Sequence, residues 1–444
     1  MKKNLLLLLA GLLPILGYSQ EMLSLQAAIE IGLKNNYQIQ IAERELDIAR
    51  TNDDWSIAGR YPLVNGTLNI NNNYNSNNNP ASFFPQIQSL SSSVVPGAEV
   101  SWLLYNGSQV RLTKQQLEEL ARQGQGNVQI VIENTIQRII LAYYQALVQE
   151  EQLQVRDEVL NLSRDRLNYT KVRQEFGQAA SFDVLQSQDA YLNDSTSWLI
   201  QQNTYDNALR DLNLAMGEDV LSRRYTLTDR LEFVVQNYAL EDLQKQMLDN
   251  NRMLQNMIIG REIARIGTRL EETRMRPTVN MRLAVSDNIG YNVFANAISV
   301  AGDERNFGGI RTNAFNIFAG FTVSYPLLDW GIRRRGIQTA KLREITAQLG
   351  IEDQKRNLNT QLENTFATYN NQKQLVEVTN QLVQNAQRSL TIAGDRFESG
   401  LINVFDYRVV QLSYINATQA RLNAIFNLKN TETELIRLVG GLVR

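Results

Sequence analysis

The chain has 444 residues, 43% of them hydrophobic and 20% charged, with a formal net charge of −2. It contains no cysteine and no histidine, which excludes disulfides, thiolate metal sites and cysteine nucleophiles, along with the commonest general base. The mildly acidic balance argues against a nucleic-acid partner, and neither a metal nor a cofactor is expected.

The chain opens Met1-Lys2-Lys3-Asn4, continues with the almost wholly apolar Leu5 to Leu16, and then runs Gly17-Tyr18-Ser19-Gln20. A basic end, a short apolar core and small residues at −3 and −1 predict a cleaved export signal over 1–19, with Gln20 as the first mature residue. Losing Lys2 and Lys3 leaves 42 basic residues against 46 acidic ones, a mature charge of −4. No later apolar run is long enough for a membrane-spanning helix, so any membrane contact must use strands or amphipathic surfaces.

A helix of about 35 residues is predicted first, from Leu23 to Trp55. Pro62 then marks a switch to strand, because proline suits a strand start and breaks helix interiors. Val64, Gly66, Leu68 and Ile70 alternate with Asn65, Thr67, Asn69 and Asn71, and Ala98, Val100, Trp102 and Leu104 alternate with Glu99, Ser101 and Leu103. That is the period-two pattern of half-buried strands. Between them, Asn72 to Val95 is rich in Asn and Ser and is expected to be a solvent-facing loop.

Ser108 to Gly217 follows as one very long antiparallel helical hairpin. It lies within a proline-free run from Gly97 to Arg276 and carries Val128, Ile132, Ile136, Ile139, Tyr143 and Leu147 at helical spacing. Helical from Ser108 to Phe176, its first arm would be roughly 100 Å long at about 1.5 Å per residue. Gly124 and Gly126 interrupt this arm, and Gly350 matches Gly126 in the second; a bend or a close helix contact is expected there. Glu218 to Tyr238 is a connector, expected to wrap the helices from outside.

The second half repeats the first. Residues 23–65 align without a gap to 238–280, so that Leu25, Asn35, Asn36, Pro62 and Val64 meet Leu240, Asn250, Asn251, Pro277 and Val279. At a shift of 223, Gly177, Phe182, Asp183, Gln188 and Gly217 meet Gly400, Phe405, Asp406, Gln411 and Gly440. This is a tandem duplication. It gives repeats at 20–217 and 239–444 with the connector 218–238 between them. The second copy has its own helix (Leu240 to Thr273), strands around 279–286 and 317–325, a polar loop from Gly290 to Thr312, and a hairpin.

The strand pattern alone fits a soluble sheet as well as an outer-membrane barrel. Export, with Trp102 and Tyr325 near strand ends, shifts the balance toward the barrel. Four strands cannot close one, since about eight is the smallest that does, so copies of the chain must share it.

With the duplication, strands and hairpins together, the sequence resembles the TolC family of outer-membrane efflux proteins over essentially the whole mature chain. The local signatures are Leu23 to Glu30 (LSLQAAIE) with Asn35-Asn36, Tyr325 to Gly331 (YPLLDWG), and Gly177 to Leu185 (GQAASFDVL) followed by Gln188. The resemblance implies an α+β membrane protein: a homotrimer with a 12-stranded β-barrel, four strands per chain, continued by a long α-helical coiled-coil barrel. It also implies a non-enzymatic exit duct in the Gram-negative outer membrane and periplasm, serving a tripartite efflux pump or type I secretion system. The implied partners are a periplasmic adaptor and an inner-membrane transporter.

The resemblance places Gly177, Gly400 and Leu401 at the periplasmic hairpin tips, where an adaptor would dock, although a turn glycine is also a plain structural need. Asp183 and Asp406 match the aspartate after each tip; each would either face the pore or cap its return helix. Gln186 and Val409 stand where a second aperture aspartate could be. Ile402 and Asn403 replace the basic residue that some members use to lock the tip. Closure through Phe405 and Tyr407 is the expectation in its place. The copies diverge here, Ser181 against Val404 and Leu185 against Arg408, so the second hairpin is the expected gate. The competing reading, a periplasmic coiled-coil adaptor or scaffold without a pore, would need a β-rich insert in the hairpin, and none interrupts Ser108 to Gly217.

Overall fold

The computed structural model of the protein describes residues 21–231 and 236–442. The expected signal with Gln20, four residues of the connector and the last two residues lie outside the described residues. The chain divides into two compact units, each drawn from both halves. One holds the described parts of 1–44, 125–256 and 352–444; the other holds 45–124 and 257–351.

In chain order the elements are β1 (Glu21–Leu23), α1 (Leu25–Asn35), α2 (Tyr37–Asn52), β2 (Leu63–Asn78), β3 (Gln86–Tyr105), α3 (Gln109–Glu175) and α4 (Ser181–Met216). After β4 (Tyr225–Leu227) come α5 (Leu240–Asn250), α6 (Arg252–Thr273), β5 (Thr278–Ile298), β6 (Glu304–Ser324), α7 (Ile332–Glu398) and α8 (Val404–Leu438). The second half thus repeats the helix–helix–strand–strand–long-hairpin order of the first.

In the first unit, the single opening helix expected in each copy is two helices. Asn36 breaks the first with an extended backbone (φ −65°, ψ 120°). Its carboxamide oxygen accepts from Gln38 N (2.9 Å) and its amide donates to the Ala215 carbonyl (3.1 Å). Asn251 does the same in the second copy, accepting from Leu254 N (3.0 Å) and donating to the Leu438 carbonyl (3.0 Å). An asparagine that satisfies its own broken helix competes well with continued helix. Gly217 (φ +72°) and Gly440 (φ +68°) lie against these breaks, where a Cβ would come within 2.9 Å of the Asn35 carbonyl and would clash with that of Asn250. The shared Asn-Asn and Gly positions therefore have one cause.

Most of the predicted stripe on α3 is buried: Val128 and Ile136 are enclosed, Ile132 is half-buried, and Ile139, Tyr143 and Leu147 share a core with Leu23, Leu212, Met216, Leu422 and Ile425. Each such side chain contributes roughly 1.5–3 kcal/mol by leaving water. The connector is not a loose wrap. Its strand β4 pairs in parallel with β1, and just beyond β4 Asp229 ties the connector to α1 and α3 by taking hydrogen bonds from Leu25 N (2.8 Å) and the Tyr143 hydroxyl (2.7 Å). Neither short strand was foreseen.

α3 runs through Gly124 and Gly126 without a break. The glycines serve close approach instead. A Cβ on Gly126 would meet the Asn256 side chain at 2.8 Å within the first unit, and one on Gly124 would sit 3.4 Å from Leu46 within the second.

The second unit carries an antiparallel four-stranded sheet in the order β2-β3-β5-β6. Its strands are longer than the alternation foretold. The segments read as loops, Asn72 to Val95 and Gly290 to Thr312, are largely strand, with Asn78 paired to Gln86 and Ile298 to Glu304. Ladder hydrogen bonds use backbone groups alone, so a run with polar side chains on both faces can continue a sheet once its neighbours supply partners. Only the tips turn, through Asn79 to Pro85 and Ser299 to Asp303.

One sheet face is apolar and exposed. Val64, Val100, Leu283 and Ala319 form one cross-strand row, and Gly66, Ala98, Val285 and Ile317 the next. The outer edges of β2 and β6 are unpaired among the described residues. An exposed apolar face and two open edges call for further contacts. No helix among the described residues is long and apolar enough to cross a membrane.

Candidate functional site at the hairpin turns

Both hairpins turn in the first unit, by the same backbone device. After α3, Gly177 takes φ +72°, its N–H bonds the Gln174 carbonyl (2.9 Å), and Gln178 N reaches back to Arg173 O (2.8 Å). After α7, Gly400 takes φ +71°, with Gly400 N on Phe397 O (3.0 Å) and Leu401 N on Arg396 O (2.8 Å). A left-handed residue closing the last carbonyls in this way is the usual glycine helix stop.

The return helices start differently. In α4 the Asp183 carboxylate accepts from Ala180 N (3.1 Å), closing the first turn. In α8 that task falls to Asn403, whose side chain accepts from Asp406 N (2.8 Å). Asp183 is thus a helix cap, whereas the Asp406 carboxylate is exposed and has no partner among the described residues.

Between the turns lies a cleft of about 310 Å³ whose walls include Thr170, Arg173, Asp183, Leu401, Asn403 and Asp406. Large apolar side chains stand exposed around it: Phe176 and Phe182 at the first turn, Leu401 (74% exposed) and Phe405 (62%) at the second. Tyr407 stands apart from the aperture expectation. It is only 4% exposed, because α8 buries the stripe Val404, Tyr407, Gln411 and Tyr414. Its ring packs on Phe397, and the Arg166 guanidinium lies 3.2 Å from the ring centroid. Burial pushes the Tyr407 phenol up and the Arg166 guanidinium down to about 10, the latter countered by the neighbouring Tyr407 and Asp194.

Behind this stack the two hairpins are tied together by a polar network. Arg408 on α8 grips Asp194 on α4 with both nitrogens (2.6 and 2.7 Å). Asp194, 3% exposed, also accepts from the Ser163 hydroxyl. Gln411 receives a bond from Arg408 (2.8 Å) and donates to Ser163 (3.2 Å). A bidentate, enclosed arginine–carboxylate pair is the strong kind. Sequence reasoning singled out Arg408 only as a divergence from Leu185 and missed Asp194 and Arg166. The same divergence was the available signal at Asp194, which matches Ala417 at the shift of 223.

A duplicated chain with a four-stranded, apolar-faced sheet and two long helical hairpins has the architecture of an outer-membrane channel subunit. The model of the outer membrane efflux protein family matches residues 28–218 and 243–441, and the chain belongs to that family. Among solved structures, the CmeC outer membrane channel of Campylobacter jejuni is similar at TM-score 0.74 and 15% identity, over 94% of this chain and 85% of that one. A membrane protein from Pseudomonas aeruginosa matches at 0.72 and 16%, over 94% and 93%. The outer membrane protein VceC of Vibrio cholerae matches at 0.70 and 16%, over 94% and 96%. Identities this low show the shared fold. A search of the curated proteins finds no match.

Proposed function

We propose that the protein is a passive exit duct in the outer membrane of a Gram-negative bacterium, extending into the periplasm. Three copies join their sheets edge to edge into a 12-stranded barrel, each supplying four strands. The helical hairpins build the periplasmic tube. The observation that carries this reading is the exposed apolar sheet face with open edges at β2 and β6, which lipid and neighbouring copies would cover.

At the tips, Gly177, Gly400 and Leu401 form the docking surface for a periplasmic adaptor working with an inner-membrane transporter, in an efflux pump or a type I secretion system. The exposed Leu401 and the cleft beside it support that assignment. Asp406 and Phe405 line the aperture, giving a ring of three carboxylates that favours cations. Asp183 and Tyr407, engaged within the chain, shape that ring from behind. Outer-membrane fractionation with cross-linking at positions 177 and 400 tests the whole reading. A duct fractionates with outer membranes, needs detergent and yields an adaptor adduct, whereas a pore-free scaffold would wash off in buffer.

A further inference from the structure

The apolar face of the sheet ends unevenly, and the place where it ends has its own chemistry. Counting outward from the row of Gly66, Ala98, Val285 and Ile317, same-face residues recur every second position. Two rows further lie Ile70, Val94, Ile289 and Asn313, paired strand to strand in that order. The next row is Asn72, Ser92, Tyr291 and Arg311. Three apolar side chains and the Asn313 amide thus give way within one step to a guanidinium, an amide, a hydroxyl and a phenol.

These two rows do not form a flat surface. They wall a cavity of about 590 Å³, floored by the backbone of the intervening row at Ser93, Gly290 and Thr312. The hollow has a local cause. The Tyr291 hydroxyl leans toward Gly309 (φ +72°), 3.0 Å from where a Cβ would be, while Ser92 on the other side is too short to fill the space. Arg311 is exposed and makes no ion pair or hydrogen bond among the described residues. It lies twelve residues from Val323, the same-face residue at the far end of β6, about 41 Å along the strand at roughly 3.4 Å per residue. On strands tilted by about 45° that is roughly 29 Å of height, so an apolar band about 25 Å tall that starts at Val323 finishes just short of Arg311, at the headgroup level.

We propose that this hollow is a binding site for a phosphate-bearing, net-anionic lipid headgroup of the outer leaflet, an inference that rests on the membrane reading above. The Arg311 guanidinium takes the phosphate oxygens in its planar fork. Asn72, Ser92 and Tyr291 supply further donors, and the acyl chains run down over Ile70, Val94 and Ile289 onto the apolar belt. An acid on the same face of β5 sets the polarity of the site. Asp287 lies four residues below Tyr291 on the same face of β5, opposite Phe315, with one carboxylate oxygen enclosed and without a partner. Its charge repels an anion from the belt side and leaves Arg311 as the headgroup end.

Native mass spectrometry of the full-length oligomer in neutral detergent tests the site, with phosphatidylglycerol, phosphatidylcholine or inorganic phosphate as probe. Phosphatidylglycerol should be retained several-fold more than phosphatidylcholine. Arg311→Gln should remove that preference, Asp287→Asn should strengthen it, and Arg305→Gln should leave it unchanged. Equal retention of the two lipids by the unaltered protein, or an Arg311→Gln protein with its preference intact, overturns the proposal. So does displacement of phosphatidylglycerol by inorganic phosphate, which would make this a plain anion site. If Arg311→Gln loses its oligomer together with its lipid, Arg311 belongs to a contact between copies and the lipid site falls. Recovery of the unaltered protein in the soluble fraction overturns the membrane reading as well, and differs from lost lipid preference in a protein that still fractionates with outer membranes.

Discussion

The two hairpin turns are copies of one ancestral turn, yet they have divided the work. Gly177 and Gly400 hold the same backbone, with φ within a degree of each other and the same pair of returning hydrogen bonds. Beyond the glycine they part. The first turn consumes its aspartate as a cap, while the second caps with Asn403 and leaves Asp406 exposed. Only the second turn carries Arg408, which reaches across to Asp194 on the first hairpin. Duplication kept the fold of the turn and released its side chains: the first anchors, the second presents charge.

The largest way to break this division is Arg408→Leu, which installs the residue of the first copy. It leaves Asp194 buried without its partner, a change that typically costs about 3–5 kcal/mol. Thermal unfolding should show that loss, and single-channel conductance should rise as the second hairpin comes free. Adding Asp194→Leu should restore much of the stability without restoring the low conductance. Tyr407→Ala comes next, at roughly 3 kcal/mol for an enclosed ring, whereas Phe405→Ala should stay within about 0.5 kcal/mol and act on conductance. Equal stability losses at 405 and 407 would contradict the burial difference.

Asp183→Ala should cost about 1 kcal/mol through the lost cap, measurable in chemical denaturation. Asp406→Ala should be close to neutral in the same assay. The smallest effect concerns pH, away from the turns. Burial holds the Glu133 carboxyl above its usual 4.5, with Arg252 and Arg437 opposing. The folded state then keeps that proton to a higher pH than the unfolded chain. The resulting stability is present below the ordinary carboxylate value and lost as pH rises through the folded one. Relative to Glu133→Gln, the unaltered protein should therefore lose melting temperature as pH climbs from 4.5 toward neutrality.

How much of this was legible beforehand follows from which interactions are local. The α3 stripe of Ile139, Tyr143 and Leu147 could be read because helical period and burial coincide. The helix breaks at Asn36 and Asn251 could not, since their partners, Ala215 and Leu438, lie 179 and 187 residues away. The strands beyond Asn71 were hidden because Asn and Ser on both faces erase the alternation that signals a sheet. At the tips, the turn glycines were plain from the duplication. The network behind them was not, because Arg408 meets Asp194 across 214 residues, and Tyr407 looked no different from its exposed neighbour Phe405 until α8 was seen to bury it.

The most direct test of the division between the turns is single-channel recording of the full chain in planar bilayers, comparing Asp406→Asn with Asp183→Asn. The account predicts that the unaltered protein conducts with a preference for cations, that Asp406→Asn weakens this preference, and that Asp183→Asn leaves it in place. A preference lost at 183 and kept at 406 would contradict it, and a protein that forms no channel would contradict the duct itself.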